Sequence, residues 1–410
     1  MALFRNILIF FSVLGPSLIT TMAGNDGGGI VTYSLGGAKL GYAVLIILPF
    51  LTILYGITQE MGSRIAIVTG KGLGDLIRES FGLRTSFVIF VLLLVANFGT
   101  LLTNVAALKT SSQMLGIPAT PFIIFMIIVC FKLVTITKYE KSQKIFLTGI
   151  IFYLAYVFSA IQAKPDWSKA VTSLVVPDGS IFSKESLILL IALLGTTITP
   201  WGQFFVQSYM KDKNVPVRKL PFAKLEAYLG AVTSNVFTFF MIVATAATLF
   251  IHHIPLNSGE QAALAIKPFA GSFASLLFSL GLVNASIIGM IVVSLTSAYA
   301  FTEFFGFAGS LDDPYSKGKI FYGIFLFNLM LAALLVITPF FPLFDIVLYT
   351  QSLNGILLPI FFYFILKIVN NSELMGKHTN SRFYNVFAIV SSLLIIVASA
   401  VAIITGFVAG

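Results

Sequence analysis

The chain has 410 residues, of which 58% are hydrophobic and 10% are charged, and its mean hydropathy is +0.98. A soluble domain cannot bury so much apolar surface, so the composition indicates a polytopic membrane protein. The net charge of +9 is spread over short loops and therefore indicates membrane topology rather than nucleic-acid binding. The single cysteine, Cys130, lies in an apolar stretch and excludes a disulfide framework.

Apolar runs of about twenty residues predict transmembrane helices. The sequence contains eleven such segments, at residues 7–34, 43–66, 86–111, 120–137, 145–163, 185–209, 223–251, 274–305, 319–340, 344–368 and 384–407. They predict an all-α membrane protein with eleven spans and one transmembrane domain over residues 1–410. No Walker-type phosphate loop is found in the sequence, so we expect neither ATP nor nucleic acid as a partner.

The basic residues alternate along the chain in a way that predicts the orientation of the spans. Most of the 25 Lys and Arg residues follow even-numbered spans or precede span 1. Because cytoplasmic loops are enriched in basic residues, this pattern predicts a protein of the cell membrane with a cytoplasmic N-terminus and an external C-terminus. The basic residues on the predicted cytoplasmic side are Arg5, Arg64, Lys71, Arg78, Arg84, Lys132, Lys138, Lys141, Lys144, Lys211, Lys213, Arg218, Lys219, Lys224, Lys317, Lys319, Lys367, Lys377 and Arg382.

Span 1 contains an acidic residue within a run of glycines, Gly24-Asn25-Asp26-Gly27-Gly28-Gly29. A carboxylate at this depth in a bilayer is costly, and by default it marks an ion or substrate site. Each glycine weakens a regular helix by about 1 kcal/mol and frees backbone carbonyls to act as ligands. The run therefore predicts a broken helix whose polar groups face protein or water.

Span 6 contains a second interruption, because Pro200 removes a backbone donor and Gly202 weakens the turn that follows. Spans 1 and 6 would begin two halves of five spans, at about residues 7–163 and 185–368, followed by an extra helix at about 384–407. Since five is odd, the two halves insert with opposite orientation and form an inverted repeat. The predicted site lies where the two breaks face each other.

A set of motif residues occurs in spans 1, 2, 6 and 10: Gly15-Pro16, Asp26, Gly41-Tyr42, the run from Arg64 to Lys71, Gly195 with Thr199-Pro200, and Gln351 and Pro359. These residues resemble those of the Nramp family of divalent-metal transporters, most specifically in spans 1, 2 and 6. The resemblance covers about residues 7–407. It implies a LeuT-like fold with alternating access and a metal ion bound between spans 1 and 6.

The resemblance also implies a set of metal-binding positions in this chain. The family's span-1 motif places the acidic ligand at Asp26, an amide ligand at Gly29 and a carbonyl ligand at Ala23. Its span-6 motif places a methionine ligand at Thr199. We expect an ion site formed by oxygen donors from span 1, span 6 and span 10, at positions Ala23, Asp26, Gly29, Thr196, Thr199, Gln203 and Gln351.

The departures from the family pattern carry the prediction of the substrate. A methionine sulfur suits softer transition metals. Here Thr199 replaces that methionine and Gly29 replaces the amide ligand, which leaves a roomier site of oxygen donors. Mg²⁺ keeps several waters and is usually held by one or two carboxylates. These features are most similar to the Nramp-related magnesium transporters. They predict Mg²⁺, and also Mn²⁺, as the transported ion, with no cofactor.

The positions that carry protons in the family are occupied by other residues here. The acidic pair of span 3 corresponds to Thr100 and Thr103, and the two histidines of span 6 correspond to Trp201 and Val206. Because none of these residues titrates near neutral pH, we predict uptake by alternating access without proton coupling.

Several alternatives remain open at this stage. The nearest is a proton-coupled Mn²⁺ or Fe²⁺ transporter of the same family. An amino-acid symporter would place a substrate carboxylate where Asp26 would repel it, and only flux kinetics would separate a transporter from a Mg²⁺ channel. An enzyme is not expected, because the spans offer no paired acids, zinc-binding spacing or Ser-His pair. We predict a monomer with the divalent ion and the bilayer as its partners.

Overall fold

The computed structural model describes residues 9–136, 139–254, 256, 259–338 and 343–408. Within these residues, ten helical stretches are long and apolar enough to cross a membrane. The protein is therefore a multi-pass membrane protein. The predicted start of span 1 at residue 7 and the predicted ends of spans 4 and 9 at residues 137 and 340 lie outside the described residues.

Each predicted span corresponds to one helix or to two consecutive helices. Span 1 comprises Pro16–Ala23 and Gly27–Leu40, span 2 is Ile47–Thr69, span 3 is Leu73–Met114, span 4 is Ala119–Ile136, span 5 comprises Tyr139–Gly149 and Leu154–Gln162, span 6 comprises Lys184–Thr197 and Pro200–Lys213, span 7 is Leu220–Thr245, span 8 is Gly259–Phe305, span 9 is Lys319–Ile337, span 10 is Leu343–Val369 and span 11 is Arg382–Val408. Spans 3 and 8 begin earlier than predicted. Span 3 is kinked at Gly82, where φ is +79°, so its first two turns form a separate short segment.

The count of ten helical stretches differs from the eleven predicted spans because two spans are joined at Gly41 within one stretch. The stretch Gly27–Thr69 contains both the second half of span 1 and all of span 2. At Gly41 the chain has φ +58°, a conformation that favours glycine, and it continues through a short 3₁₀ turn into span 2. Ser17 then pairs with Ser63 at 2.8 Å, and Tyr55 donates to the Thr20 carbonyl at 3.2 Å. Span 2 therefore runs antiparallel to span 1, and the described residues contain eleven spans.

Both predicted helix breaks are confirmed. The first half of span 1 ends at Ala23 and the second half begins at Gly27. The first half of span 6 ends at Thr197, and Pro200 occupies the first turn of the second half, where its missing N–H has no cost. Each second half begins with a side-chain cap, because Asp26 Oδ1 accepts from Gly29 N and Thr199 Oγ1 accepts from Gly202 N.

The two five-span halves form an inverted repeat. Spans 1, 2 and 3 pack directly against their equivalents, spans 6, 7 and 8. In every pair, the residue numbers rise along one helix as they fall along the other, which shows that the equivalents run in opposite directions. The contacts that establish this are Tyr33 with Thr197 and Thr20 with Gly202, Thr52 with Asn235 and Glu60 with Lys224, and Asn97 with Ser297 and Gly74 with Glu303. The predicted inverted repeat is thus confirmed.

The segments that follow even-numbered spans lie together at one end of the bundle, which we call the basic face. There, Arg64 of span 2 pairs with Glu60 at 3.0 Å and donates to the His378 carbonyl after span 10. Lys211 of span 6 contacts Asp75 of span 3 at 3.1 Å. The structure therefore gathers the predicted basic junctions on one side of the protein.

The start of span 1 is fixed at the same basic face. The buried Glu226 carboxylate of span 7 accepts from the backbone N–H groups of Gly15 at 2.6 Å and Leu18 at 3.2 Å. The Lys213 amine of span 6 donates to the carbonyls of Val13 and Leu14 at 2.7 and 2.6 Å. Because helix ends leave such groups unpaired, these contacts satisfy the backbone where the first helix of span 1 begins.

Candidate metal-binding site

Asp26 lies at the break of span 1 and is only 2% exposed. Its Oδ1 atom accepts a hydrogen bond from Gly29 N at 2.7 Å, and its Oδ2 atom accepts one from Asn104 Nδ2 of span 3, also at 2.7 Å. Neither partner carries a positive charge. A buried carboxylate that has hydrogen bonds but no countercharge is a strong ligand for a cation.

Three oxygen atoms converge on the space that Gly29 leaves free. A β-carbon placed on Gly29 would lie 2.7 Å from the Gly24 carbonyl oxygen, 3.2 Å from Thr196 Oγ1 and 3.4 Å from Asp26 Oδ1. The Thr196 hydroxyl is buried and has no hydrogen-bond partner among the described residues. The absence of a side chain at Gly29 therefore opens a small space that is lined by oxygen donors from both broken spans.

The two breaks face each other across this space. A β-carbon on Gly24 would lie 3.4 Å from the Thr197 carbonyl oxygen, and Tyr33 Oη is 3.0 Å from Thr197 Oγ1. Ala23 is the last residue of the first half of span 1, so its carbonyl lies where no further helical turn follows. The predicted meeting of the two breaks is present in the structure.

Other freed backbone groups in the span-1 break are satisfied by neighbouring spans. Tyr153 Oη of span 5 is within hydrogen-bond distance of the Met22 and Asn25 carbonyls, at 3.1 and 3.0 Å. The Asn25 side chain points away from Asp26 and donates to the Ser234 carbonyl of span 7 at 3.0 Å. The break is therefore anchored on spans 5 and 7, while its acidic side chain turns towards spans 3 and 6.

Thr199 and Gln203 lie on the second half of span 6. The Thr199 hydroxyl accepts from Gly202 N at 3.1 Å, so it caps its own helix and retains a second lone pair. Gln203 follows one turn later and is fully buried, and its amide has no hydrogen-bond partner among the described residues. Gln203 is thus further along span 6 than Thr196, which faces Gly29.

Gln351 approaches the opposite side of the span-1 break from span 10. A β-carbon on Gly28 would lie 2.6 Å from Gln351 Nε2 and would also overlap the Thr103 hydroxyl of span 3. The Gln351 Oε1 atom accepts from Asn354 Nδ2 at 3.0 Å, and the same Asn354 amide donates to Thr100 Oγ1 at 2.9 Å. Thr100, Thr103 and Gln351 therefore form one polar layer beside Gly28.

Trp201 and Val206, the two positions predicted to correspond to the family's span-6 histidines, are buried on span 6. Val206 lies against span 2, where its Cγ1 atom would be 2.7 Å from a β-carbon on Gly62. Asp26 is the one acidic residue among the described residues of the two breaks, 23–29 and 196–203. The described residues contain no group of three or more His, Cys, Asp or Glu side chains that could hold a metal ion.

Asn104 of span 3 contacts the candidate site although it is not among the residues predicted for it from the sequence. Its amide holds Asp26 Oδ2 and the Thr100 carbonyl, and its Oδ1 atom accepts from Gly27 N at 2.9 Å. A polar residue in span 3 one turn from Thr100 is the signal that could have identified it. Asn104 ties the broken segment of span 1 to span 3 and fixes the orientation of the carboxylate.

We expect Asn104→Leu to weaken ion binding by about tenfold, since a hydrogen bond to a charged group contributes roughly 1.5 kcal/mol or more. The carboxylate would lose the donor that fixes its second oxygen. Titration of the purified protein with Mn²⁺ would measure the dissociation constant. Asn97→Leu is the matched control, because Asn97 lies two turns away on the same span and donates to Ser297 instead. Equal affinities of the two variants would contradict the role assigned to Asn104.

An inverted repeat whose two broken helices face each other around a buried carboxylate defines a membrane transporter of the broken-helix class. Residues 17–405 match the sequence model of the Nramp family, described as natural resistance-associated macrophage protein-like. The chain belongs to the Nramp family, whose members are transporters and not enzymes.

The relatives and the solved structures agree with this assignment. The chain is 26% identical over 289 residues to the divalent metal cation transporter MntH of Caldanaerobacter subterraneus subsp. tengcongensis, covering 67% of each protein. It is 22% identical over 396 residues to MntH of Yersinia enterocolitica, covering 95% of this chain and 93% of the relative. The structure of the Eremococcus coleocola manganese transporter has a TM-score of 0.78 at 16% identity, covering 98% of this chain and 87% of that one. MhsT in complex with L-phenylalanine has a TM-score of 0.64 at 14% identity, covering 95% and 96%, so its fold is shared as well.

Proposed function

We propose that this protein is a secondary transporter that takes up divalent metal ions by alternating access, with the ion held between the breaks of spans 1 and 6. The observation that carries the proposal is the convergence of Asp26 Oδ1, Thr196 Oγ1 and the Gly24 carbonyl on the space beside Gly29. These are hard oxygen donors around one buried negative charge. Ala23, Thr199 and Gln351 supply further oxygens along the two breaks and span 10, and Gln203 follows Thr199 one turn further along span 6.

The transported ion is Mg²⁺, with Mn²⁺ as a second substrate. Mg²⁺ prefers oxygen ligands and retains several waters, so a site with one carboxylate and free space suits it better than a closed cage. A thioether would favour softer metals, and Thr199 places a hydroxyl at that position instead. The same features underlie the similarity to the Nramp-related magnesium transporters.

Uptake proceeds without proton coupling and is driven by the membrane potential. Thr100, Thr103, Trp201 and Val206 occupy the positions at which the family carries titratable residues, and none of them exchanges protons near neutral pH. Moving two positive charges inward gains about 4.6 kcal/mol per 100 mV. The potential alone is therefore sufficient to accumulate the ion.

The basic face lies in the cytoplasm, because Lys and Arg are enriched in short cytoplasmic loops. The N-terminus is then cytoplasmic and the C-terminus external, in the cell membrane. Glu226 and Lys213 hold the start of span 1 on the cytoplasmic side. We propose that the protein works as a monomer, since the inverted repeat builds the complete site within one chain.

Proton-coupled Mn²⁺ transport is the second candidate. It is favoured by the names of the relatives, which are divalent metal cation transporters, and by the structural similarity to a manganese transporter. In this case Asp26 itself, the buried acid at the site, would have to exchange the proton. The two candidates differ in the ion carried and in whether acid enters with it.

The test is uptake of Mg²⁺ and Mn²⁺ into proteoliposomes that contain a fluorescent metal indicator and a pH dye. A membrane potential that is negative inside the liposomes is imposed. We expect saturable Mg²⁺ entry without acidification of the lumen. Entry of Mn²⁺ with acidification and no Mg²⁺ flux would contradict the proposal and favour the second candidate. Liposomes without protein control for leakage, and a flux that rises with ion concentration without saturating would indicate a channel.

A further inference from the structure

Three buried glutamines lie beyond the candidate site, one on span 2 and two on span 6, and we call them the amide row. Gln59 lies on span 2, and Gln203 and Gln207 lie on the second half of span 6. All three side chains are fully buried. None of their amide nitrogen and oxygen atoms has a hydrogen-bond partner within the described part of the chain.

The spacing of Gln203 and Gln207 places their two amides on one side of span 6. Thr199, Gln203 and Gln207 are four residues apart, so they line the same face of span 6 and begin at its break. Gln207 faces span 2, because its Nε2 atom would be 3.8 Å from a β-carbon on Gly62. Gln59 faces span 6 in the same way, with its Nε2 atom 3.8 Å from a β-carbon on Gly202. Each of these two amides therefore lies opposite a glycine of the other helix.

Polar groups continue from this row to the basic face. Ser208, the residue after Gln207, donates to the Glu303 carboxylate of span 8 at 2.7 Å. The same carboxylate lies 3.9 Å from the Lys211 amine, which is partly exposed. The amides thus occupy the stretch between the Asp26 site and the charged groups at the end of the bundle.

Buried amides without partners are rare, because a missing hydrogen bond is costly in an apolar interior. Elsewhere in the same bundle, buried amides donate across helix pairs, as Asn235 does to Thr52 at 2.9 Å and Asn97 to Ser297 at 3.0 Å. Ordered water is the usual partner of polar groups that the protein leaves unpaired. Three neighbouring amides in this condition point to a hydrated path.

We propose that Gln59, Gln203 and Gln207 form a second binding site for a hydrated divalent cation. The amides of this site contact the water molecules around the ion rather than the ion itself. The inference rests on the proposed function, in which the ion leaves the Asp26 site with part of its water shell. Amide groups both donate to and accept from water, so they can replace bulk solvent around the shell. Because none of the three carries a negative charge, the ion is held briefly and is released towards the basic face.

The test replaces each amide of span 6 with an apolar side chain of similar size. We expect Gln203→Leu and Gln207→Leu to lower the initial rate of Mg²⁺ uptake by about tenfold each, since each removes hydrogen bonds to a charged ion shell. In Gln207→Leu the rise in melting temperature on addition of Mn²⁺ should stay as in the wild type, because Gln207 lies two turns beyond Thr199 and the residues of the Asp26 site are untouched. Gln113→Leu, at an exposed position of span 3, is the matched control.

A dry interface would give the opposite result. Removing unpaired amides from a dry interior should raise the melting temperature and leave the flux unchanged, and this outcome would overturn the proposal. If the wild type carries only Mn²⁺ with protons, the proposed function is wrong. The initial rate of Mn²⁺ uptake is then measured in the same variants, and a rate equal to that of the wild type would contradict the second site.

A binding experiment tests the second site without transport. In the double variant Asp26→Ala, Gln203→Glu the first site is removed and a carboxylate is added to the row. We expect electron paramagnetic resonance to detect one Mn²⁺ bound per protein, and none in Asp26→Ala alone at the same concentration. If the double variant binds no Mn²⁺, the amide row does not admit a divalent ion.

Discussion

The variant Asp26→Ala is expected to lose ion uptake by about 100-fold or more, which corresponds to roughly 3 kcal/mol of ion stabilisation. Asp26 supplies the one negative charge between the two breaks, and its carboxylate is held by Gly29 N and Asn104 Nδ2 without a countercharge. An ion that enters the membrane has no other charge at this point to offset its lost hydration. Uptake of Mg²⁺ and Mn²⁺ into proteoliposomes measures the loss.

The same variant should remain folded, because the carboxylate is buried without a charged partner and its removal relieves an uncompensated charge. We expect its melting temperature in EDTA to equal or exceed that of the wild type, while the stabilisation by added Mn²⁺ disappears. Asp345→Ala, at an exposed position of span 10, controls for the loss of an acidic residue. Saturable uptake by Asp26→Ala at the wild-type rate would place the ion elsewhere.

Gly195→Val is expected to destabilise the protein by about 3 kcal/mol or more and to prevent assembly of the site, because overpacking at a helix contact is costly. A β-carbon at Gly195 would overlap the carbonyl oxygen of Gln351 and the backbone nitrogen of Gly355, and it would lie 2.9 Å from Gly355 Cα. All three atoms belong to the backbone of span 10, so no side chain can move aside. Small residues permit such close approach of helices in membranes.

The yield of monodisperse protein in detergent and its melting temperature would measure this effect. Gly323→Val is the matched control, since a β-carbon on Gly323 of span 9 would meet no atom within 4 Å. A Gly195→Val protein with wild-type stability would show that spans 6 and 10 separate readily. The close contact bears on the proposed ion site, because Gln351 lies on span 10 and Thr196 lies on span 6.

The elements that depend on local chemistry were predictable from the sequence. The length of the apolar runs predicts the spans, and the glycine run around Asp26 and the pair Pro200 and Gly202 predict the two breaks, because these residues weaken helical hydrogen bonding wherever they occur. The odd number of spans in each half predicts the antiparallel repeat. The starts of spans 3 and 8 were predicted too late, because their first turns are too polar to be recognised by apolarity alone.

The presence of a buried acidic residue at the span-1 break was also predictable from the sequence. A single Asp in an apolar segment is informative in itself, since the bilayer penalises it wherever the rest of the chain lies. The positions Thr100, Thr103, Trp201 and Val206 could be compared with the family residue by residue. They carry the proposal of uncoupled transport, which flux measurements with a pH dye would test.

Only the tertiary structure decided which polar groups meet. Asn104 contacts Asp26 across 78 positions of the chain, and Tyr153 reaches the Asn25 carbonyl across 128. The unpaired amides of Gln59 and Gln207 become informative only when spans 2 and 6 are seen to pack at Gly62 and Gly202. Apolar length and helix-breaking residues act within one segment, and the sequence therefore determines the spans and their breaks. Hydrogen bonding between segments depends on how the helices pack, and this packing is a property of the assembled bundle.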